Sequence, residues 1–329
     1  MTIIKKISSL ILAGVLCTSI LAGCSSEKSP NTKENAVQIG IIQLVEHDSL
    51  DTARQGFIDR LASEGYVDGQ NLEIDYQNAQ GDQSNCVTIA DKFVAAQYDL
   101  ILAISTPASQ AMVNATDEIP ILVCCVTDPA ASKLCQSNEI PGCNVSGTSD
   151  LTPVAEQIEL LKELVPDAKT VGLIYSSSES NSKIQIEFAK EKCSELGLEI
   201  VEITVAGTNE IHQSIESVIG KVDALYTPSD NVAASSVSTI AGIAQDAGIP
   251  FIVSVEEMVK NGGTATLSLD YYKMGEMTAD QAVSILRDGA DISKMPIQYQ
   301  TDEAKLVINE DYCKAIGLEI PASLKERMS

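Results

Sequence analysis

The sequence predicts an α/β protein of two similar lobes. Three observations carry that prediction: short apolar runs alternate with helical patterns, the order of elements occurs twice, and the two halves place small polar residues after matching strands. Residues 37–43 and 170–175 open the halves as apolar runs, each followed by a polar loop. A helix comes next in each. Ala53, Phe57, Ile58 and Leu61 recur at helical spacing in the first, and Ile184, Ile186, Phe188 and Ala189 in the second. Gly65 and Gly197 stand where a helix C-terminus favours glycine. Residues 71–76 and 198–203 then alternate apolar and polar side chains, as half-buried strands do.

The correspondence continues. Residues 98–104 match 222–226 as strands, and Ser105-Thr106-Pro107-Ala108-Ser109 matches Thr227-Pro228-Ser229-Asp230-Asn231 as the polar segment after them. Another helix leads in each half to a strand, 119–123 and 249–253. Strands alternating with helices imply parallel sheets with helices on both faces, joined by right-handed crossovers. The chain is therefore read as two Rossmann-like lobes; one large doubly wound sheet is the alternative, and the matched halves argue against it. In the tail, residues 264–269, 295–300 and 306–308 read as strands and 274–286 as a helix stopped by Asp288-Gly289. This tail is expected to add a helix to the first lobe and strands to the second, making a multi-crossover hinge. The expected lobes are 36–147 with 270–297, and 148–269 with 298–329.

The first 23 residues read as an export signal. Lys5 and Lys6 precede an apolar run from Ile7 to Leu21, which is short and interrupted by Ser8, Ser9, Thr18 and Ser19. Leu21-Ala22-Gly23-Cys24 resembles the lipobox of bacterial lipoproteins, which implies lipidation of Cys24. Residues 24–35 then form a polar linker, and buried acyl chains hold the rest at the outer face of a membrane.

With 22 basic and 46 acidic residues, the formal net charge is -24. Such a surface repels phosphate backbones, which excludes nucleic acid as a partner. It also leaves membrane attachment to the lipid rather than to charge. Beyond Cys17 and Cys24 seven cysteines remain, an odd number that cannot all pair within one chain. Cys135 and Cys143 flank a polar loop and are the one local pair placed to bond, though the sequence leaves open whether they do. Cys124 and Cys125 are adjacent in an apolar run and are expected to face opposite sides of a strand. The cysteine content suggests a reducing or oxygen-poor setting more than a disulfide scaffold.

Ligands of open parallel sheets sit at the carboxyl ends of strands. The candidate residues there are Glu46 and His47 after the first strand, and Ser105, Thr106 and Ala108 after a later one. Thr127, Asp128, Ser177, Asn181, Ser254 and Asp270 complete the rim, with Asp230 and Asn231 facing from the other half. Pro107 suits an early helix position, and free N–H groups at that helix start suit a carboxylate. Asp230 suits an ammonium group, so Asp230→Ala is expected to weaken binding at least about tenfold. Tyr175, Tyr226, Tyr271 and Tyr272 offer aromatic surface. Catalytic patterns are thin: the two histidines, His47 and His212, lack a second His or Cys at ligand spacing. No nucleophile elbow, phosphate loop or dinucleotide fingerprint occurs. Neither an enzyme nor a metal or cofactor site is expected.

Several segments together resemble one group of bacterial ABC-transporter substrate-binding lipoproteins. They are Glu46-His47 with Leu50-Asp51, Gly56-Phe57, Gly65-Tyr66, Gly69-Gln70-Asn71 and Asn78-Ala79-Gln80-Gly81-Asp82. Thr106-Pro107-Ala108, Val126-Thr127-Asp128-Pro129, Asn144-Val145-Ser146-Gly147 and Asp270-Tyr271 with Gly275 continue the likeness. The resemblance implies a type I periplasmic-binding-protein fold that closes on a small ligand and delivers it to a membrane permease and its ATPase. The group includes binders of tyrosine, phenylalanine and tryptophan. By position, Ser105 and Thr106 would meet the ligand carboxylate and Asp230 its ammonium. Ser49, where proline or a small residue is common, and the Cys124-Cys125 pair depart from the pattern. The rival expectation is a surface adhesion or signalling lipoprotein that keeps the fold.

Overall fold

A computed structural model describes residues 36–328; the export signal, Cys24 and the whole linker to residue 35 lie outside the described residues. The first half runs β1 (Val37–Gln43), α1 (Asp48–Ser63), β2 (Leu72–Asn78), α2 (Gln83–Ala96), β3 (Leu100–Ile104), α3 (Thr106–Ala115), β4 (Ile121–Val126) and β5 (Val145–Ser149). These five strands form one parallel sheet in the order β2-β1-β3-β4-β5. Every residue of β3, β4 and β5 is buried, because helices cover both faces.

The second half begins with α4 (Val154–Leu164), β6 (Thr170–Ser176), α5 (Ser180–Glu195), β7 (Glu199–Val205), α6 (Ile211–Glu216) and β8 (Ala224–Tyr226). It continues through α7 (Asn231–Ser235), α8 (Val237–Asp246), β9 (Phe251–Ile252), α9 (Glu256–Lys260) and β10 (Ala265–Ser268). After α10 (Tyr271–Asp288) come β11 (Lys305–Ile308), α11 (Glu310–Ala315) and α12 (Ala322–Arg327). The second sheet has the order β11-β10-β9-β8-β6-β7, parallel except for β11. The molecule is thus a pair of α/β sheets, not one.

The chain passes between the sheets after β5, after β10 and again before β11. On the second passage α10 packs against α1 of the first half. Two glycines permit that approach: a Cβ on Gly275 would stand 1.9 Å from the Ala53 carbonyl oxygen, and one on Gly56 2.1 Å from that of Tyr272. Asp270 caps α10 by accepting from the Lys273 N–H, and Gly289 at φ 66° ends it. Residues 295–300 do not form the expected strand of the second sheet. They run beside β5, where Gln298 N–H donates to the Gly147 carbonyl and Ser149 N–H to that of Gln298. Lacking continuous partners, they make a single bridge.

Candidate functional site

The two sheets turn the carboxyl ends of their strands toward one another, and direct bonds join the halves there. Gln185 Nε2 donates to Thr127 Oγ at 3.0 Å, His47 Nε2 meets Asn231 Oδ1 at 3.3 Å, and Asn261 Nδ2 donates to Asp48 Oδ2 at 2.7 Å. Two non-glycine residues at this junction hold positive φ angles: Ser105 after β3 at 87° and Cys125 in β4 at 58°. Such conformations cost about 1–3 kcal/mol each and concentrate at functional sites.

Between the halves lies a narrow cavity of about 20 Å³, room for little more than one water molecule while the halves are bonded together. His47, Ser49 and Leu50 enter it from the start of α1, and Cys125 and Asp150 from the ends of β4 and β5. Asn181, Ser229, Asp230, Asn231, Ser254, Val255 and Met258 close it from the second half, and Tyr271 from α10. No Lys or Arg is among these residues.

Asp150 dominates the chemistry. It is 4 % exposed; its Oδ2 accepts from the Tyr271 hydroxyl at 2.8 Å, and its Oδ1 has no partner. Burial pushes its carboxyl up to about 6, against the pull of the Tyr271 hydroxyl, the Thr127 hydroxyl and its own backbone N–H. His47 Nδ1, Asn181 Oδ1 and Ser229 Oγ are likewise buried and unpartnered. Burial lowers the His47 pKa and keeps the ring neutral; with Nε2–H given to Asn231, Nδ1 is left as an acceptor. Unpaired polar atoms in a buried wall are costly unless a ligand completes them.

Asp230 is placed differently. Its Oδ2 accepts from Ser176 N–H at 2.6 Å and Ser182 Oγ at 2.7 Å, and its Oδ1 accepts from Ala233 N–H at 2.8 Å, capping α7. Behind it lies Glu179, 2 % exposed, which accepts from Asn231 Nδ2 at 2.5 Å and Asn181 Nδ2 at 3.1 Å. Burial and the neighbouring Asp230 charge push Glu179 up to about 8. Burial also raises Asp230.

The expected site residues therefore divide. His47, Asn181, Asp230, Asn231 and Ser254 share the cavity wall. Ser105 and Thr106 do not line it, but their hydroxyls are buried without partners at the start of α3; the adjacent Pro107 lines a neighbouring cleft with Glu179 and Asn231. Thr127 joins the halves through Gln185. Other candidates stand apart. Glu46 is exposed near the Tyr76 hydroxyl, and Ala108 packs in the core behind the first sheet. Asp128 accepts from Ala131 N–H and Asn138 Nδ2 to shape its own loop. Ser177 Oγ donates to the Val205 carbonyl, and Asp270 is occupied as the cap of α10. Of the four tyrosines only Tyr271 reaches the cavity; Tyr175 and Tyr226 bond to Glu202 and Gln157, and Tyr272 lies on the surface against Asp59. Cys135 and Cys143 are free thiols, donating to the Ser137 and Leu134 carbonyls rather than bonding to each other. Asp150 and Glu179 were not among the expected residues. The strand-end rule applied to β5 points to Asp150, one residue beyond Ser149; applied to β6, it covers Glu179, which lies between the expected Ser177 and Asn181.

A two-lobed α/β molecule with a polar cavity between strand ends defines the class of proteins that enclose a small solute between lobes. Residues 38–328 match the model of the ABC transporter substrate binding protein family, and the chain belongs to that family. It is the extracytoplasmic substrate-binding component of an ABC transporter. It is 44% identical over 323 residues to a tyrosine-binding protein of Clostridioides difficile (strain R20291), covering 96% of this chain and 93% of that one. A Streptococcus pneumonia ABC domain in complex with L-Trp superposes with a TM-score of 0.85 at 37% identity, over 89% of this chain and 98% of that chain. The ligand-free, open structure of a Clostridium difficile substrate binding protein with adhesive properties is 45% identical, covering 87% of this chain and 97% of that one. Its TM-score is nevertheless lower, 0.67. More identical in sequence yet less alike in shape, the open relative differs from this structure, whose halves are bonded to each other.

Proposed function

We propose that this protein captures an aromatic L-amino acid and presents it to the permease and ATPase of its transporter. The observation that carries the reading is Asp150: a buried carboxylate with one unpaired oxygen in a cavity without a cation. An ammonium group on Oδ1 completes it with a charge-assisted bond. The ligand carboxylate lies toward the first turn of α3, where the Ser105 and Thr106 hydroxyls lack partners and the helix end favours an anion. Leu50, Met258 and Tyr271 supply apolar surface for the ring. His47, Asn181, Asn231 and Ser254 complete the contacts, and Asp230 holds the second-half wall in shape. The relatives' tyrosine and tryptophan support an aromatic side chain. The lobes, 36–147 with 270–297 and 148–269 with 298–329, part and close about their crossovers, and ligand contacts to both shift the population toward closure. Lipidated Cys24 anchors the protein at the membrane. No covalent chemistry is involved.

Calorimetry of the full-length protein with L-tyrosine, L-tryptophan, L-phenylalanine, L-leucine and L-glutamate tests this. Saturable binding of an aromatic amino acid, with weaker or no binding of the other two, is expected. Absence of binding for all three aromatic ligands removes the proposal. The relative with adhesive properties favours a second role, attachment to surfaces. That role fails if cells bind the purified protein no better than an unrelated lipoprotein.

A further inference from the structure

Cys124 and Cys125 occupy the end of β4, and they do not sit as strand residues should. Successive side chains of an extended strand face opposite sides. Here Cys125 turns to φ 58°, the pairing with β5 slips between Val123 and Val126, and the two Sγ atoms stand 3.8 Å apart. Cys124 is fully buried, whereas Cys125 is 5 % exposed and lines the cavity. Cys124 lies beside the Cys125 thiol and the Thr278 and Thr148 hydroxyls; these bonds, the Cys125 one foremost, favour its thiolate over the cost of burial. Thr148 and Thr278 also bond to one another, so β5 and α10 hold both hydroxyls in place. The other acidic groups facing the pair are Asp150 and Glu257.

We propose that Cys124 and Cys125 form a reversible dithiol–disulfide site in the wall of the cavity, oxidised by small-molecule disulfides that enter when the lobes part. Burial and the neighbouring Cys124 hold the Cys125 thiol protonated, so Cys125, on the cavity side, passes its proton to the Cys124 thiolate as it attacks one sulfur of the small disulfide, expelling one small thiolate that takes this proton on from Cys124. Cys124 then attacks the Cys125 sulfur of that mixed disulfide and expels the second. The protein gives up two electrons and two protons, and the small disulfide leaves as two thiols. Neighbouring Cα atoms are about 3.8 Å apart across a trans peptide, below the about 4.4–6.8 Å usual for disulfides. A bond made there is easily reduced, which suits a switch and not a structural cross-link. The inference stands on thiol geometry and is independent of which ligand fills the cavity.

The test treats the full-length protein with oxidised glutathione, unfolds it in N-ethylmaleimide and maps its peptides by mass spectrometry. The peptide carrying Cys124 and Cys125 is expected to lose two hydrogens and take no maleimide, and dithiothreitol is expected to restore both labels. The same loss is expected in a Cys135→Ser, Cys143→Ser double variant. A Cys125→Ser protein should show no such loss. The proposal is overturned if the Cys124–Cys125 peptide of the parent still takes two maleimides after oxidation, or if it carries only separate glutathione adducts.

Discussion

Asp150 and Asp230 are both buried carboxylates on the wall of one cavity, each following a strand, yet they are built for opposite purposes. Asp230 spends its oxygens on Ser176, Ser182 and Ala233, all of its own half. Asp150 gives one oxygen to Tyr271, whose helix comes from the tail, and keeps the other bare. A carboxylate saturated by backbone and hydroxyl donors has little left for a ligand; one with an unpartnered oxygen in a cavity without Lys or Arg has an acceptor to offer. The difference teaches that acidity and position nominate a residue, whereas its unsatisfied valence decides its role.

The sharpest way to break the comparison is Asp150→Asn. Truncating one partner of a buried charged hydrogen bond costs about 2–5 kcal/mol, so amino-acid affinity should fall at least about thirtyfold by calorimetry. The ligand-free melting temperature should hold or rise, because a buried carboxyl pushed up to about 6 is relieved. If affinity is unchanged, Asp150 does not meet the ligand.

Asp230→Ala should reverse that profile. It strands two backbone N–H groups and a hydroxyl and removes the cap of α7, a loss of about 2 kcal/mol. Thermal unfolding should drop by about 4–8 °C. Affinity at a temperature where the variant is folded should fall less than in Asp150→Asn. A larger loss of binding than of stability would restore Asp230 as the ammonium partner that its position in the sequence suggests.

Most of the architecture was legible because repetition is a pattern within the chain. The strands 37–43 and 170–175 and the glycines that end the first helices obey local rules that the structure follows, whereas Asp270, expected at the rim, caps α10 instead. Gly56 and Gly275 stood out as motif residues, but their reason is non-local: each admits a carbonyl of the other helix. The site was half legible. His47, Asn181, Asp230 and Asn231 follow from the strand-end rule, yet nothing local says that Asp230 is satisfied by Ser182, 48 residues away. Nor could alternation foresee the left-handed turn at Cys125 that brings two thiols to one side. Residues 295–300 misled because an apolar–polar alternation marks an edge-side segment as readily as a strand.

The smallest expected effect is one of pH, and it concerns Asp150 and Glu179, the carboxyl behind Asp230. Glu179, pushed up to about 8 from an ordinary 4.5, and Asp150, pushed up to about 6 from 3.8, hold protons more tightly folded than unfolded. Their contribution to stability is therefore complete below the ordinary values. It is lost as pH rises through about 6 for Asp150 and about 8 for Glu179. His47 works in the other sense: burial lowers its pKa, so its contribution is lost as pH falls below 6.5. The contrast between the parent and Glu179→Gln isolates one of these groups. Between about pH 6 and 9 the ligand-free parent should lose more melting temperature than the variant, by about 2–4 °C. Ligand affinity should move oppositely, weakening as pH falls below about 6, because only the ionised Asp150 pairs with an ammonium. Identical melting profiles for parent and variant would mean that Glu179 is ionised in the folded protein, and that the charge behind Asp230 is borne without penalty.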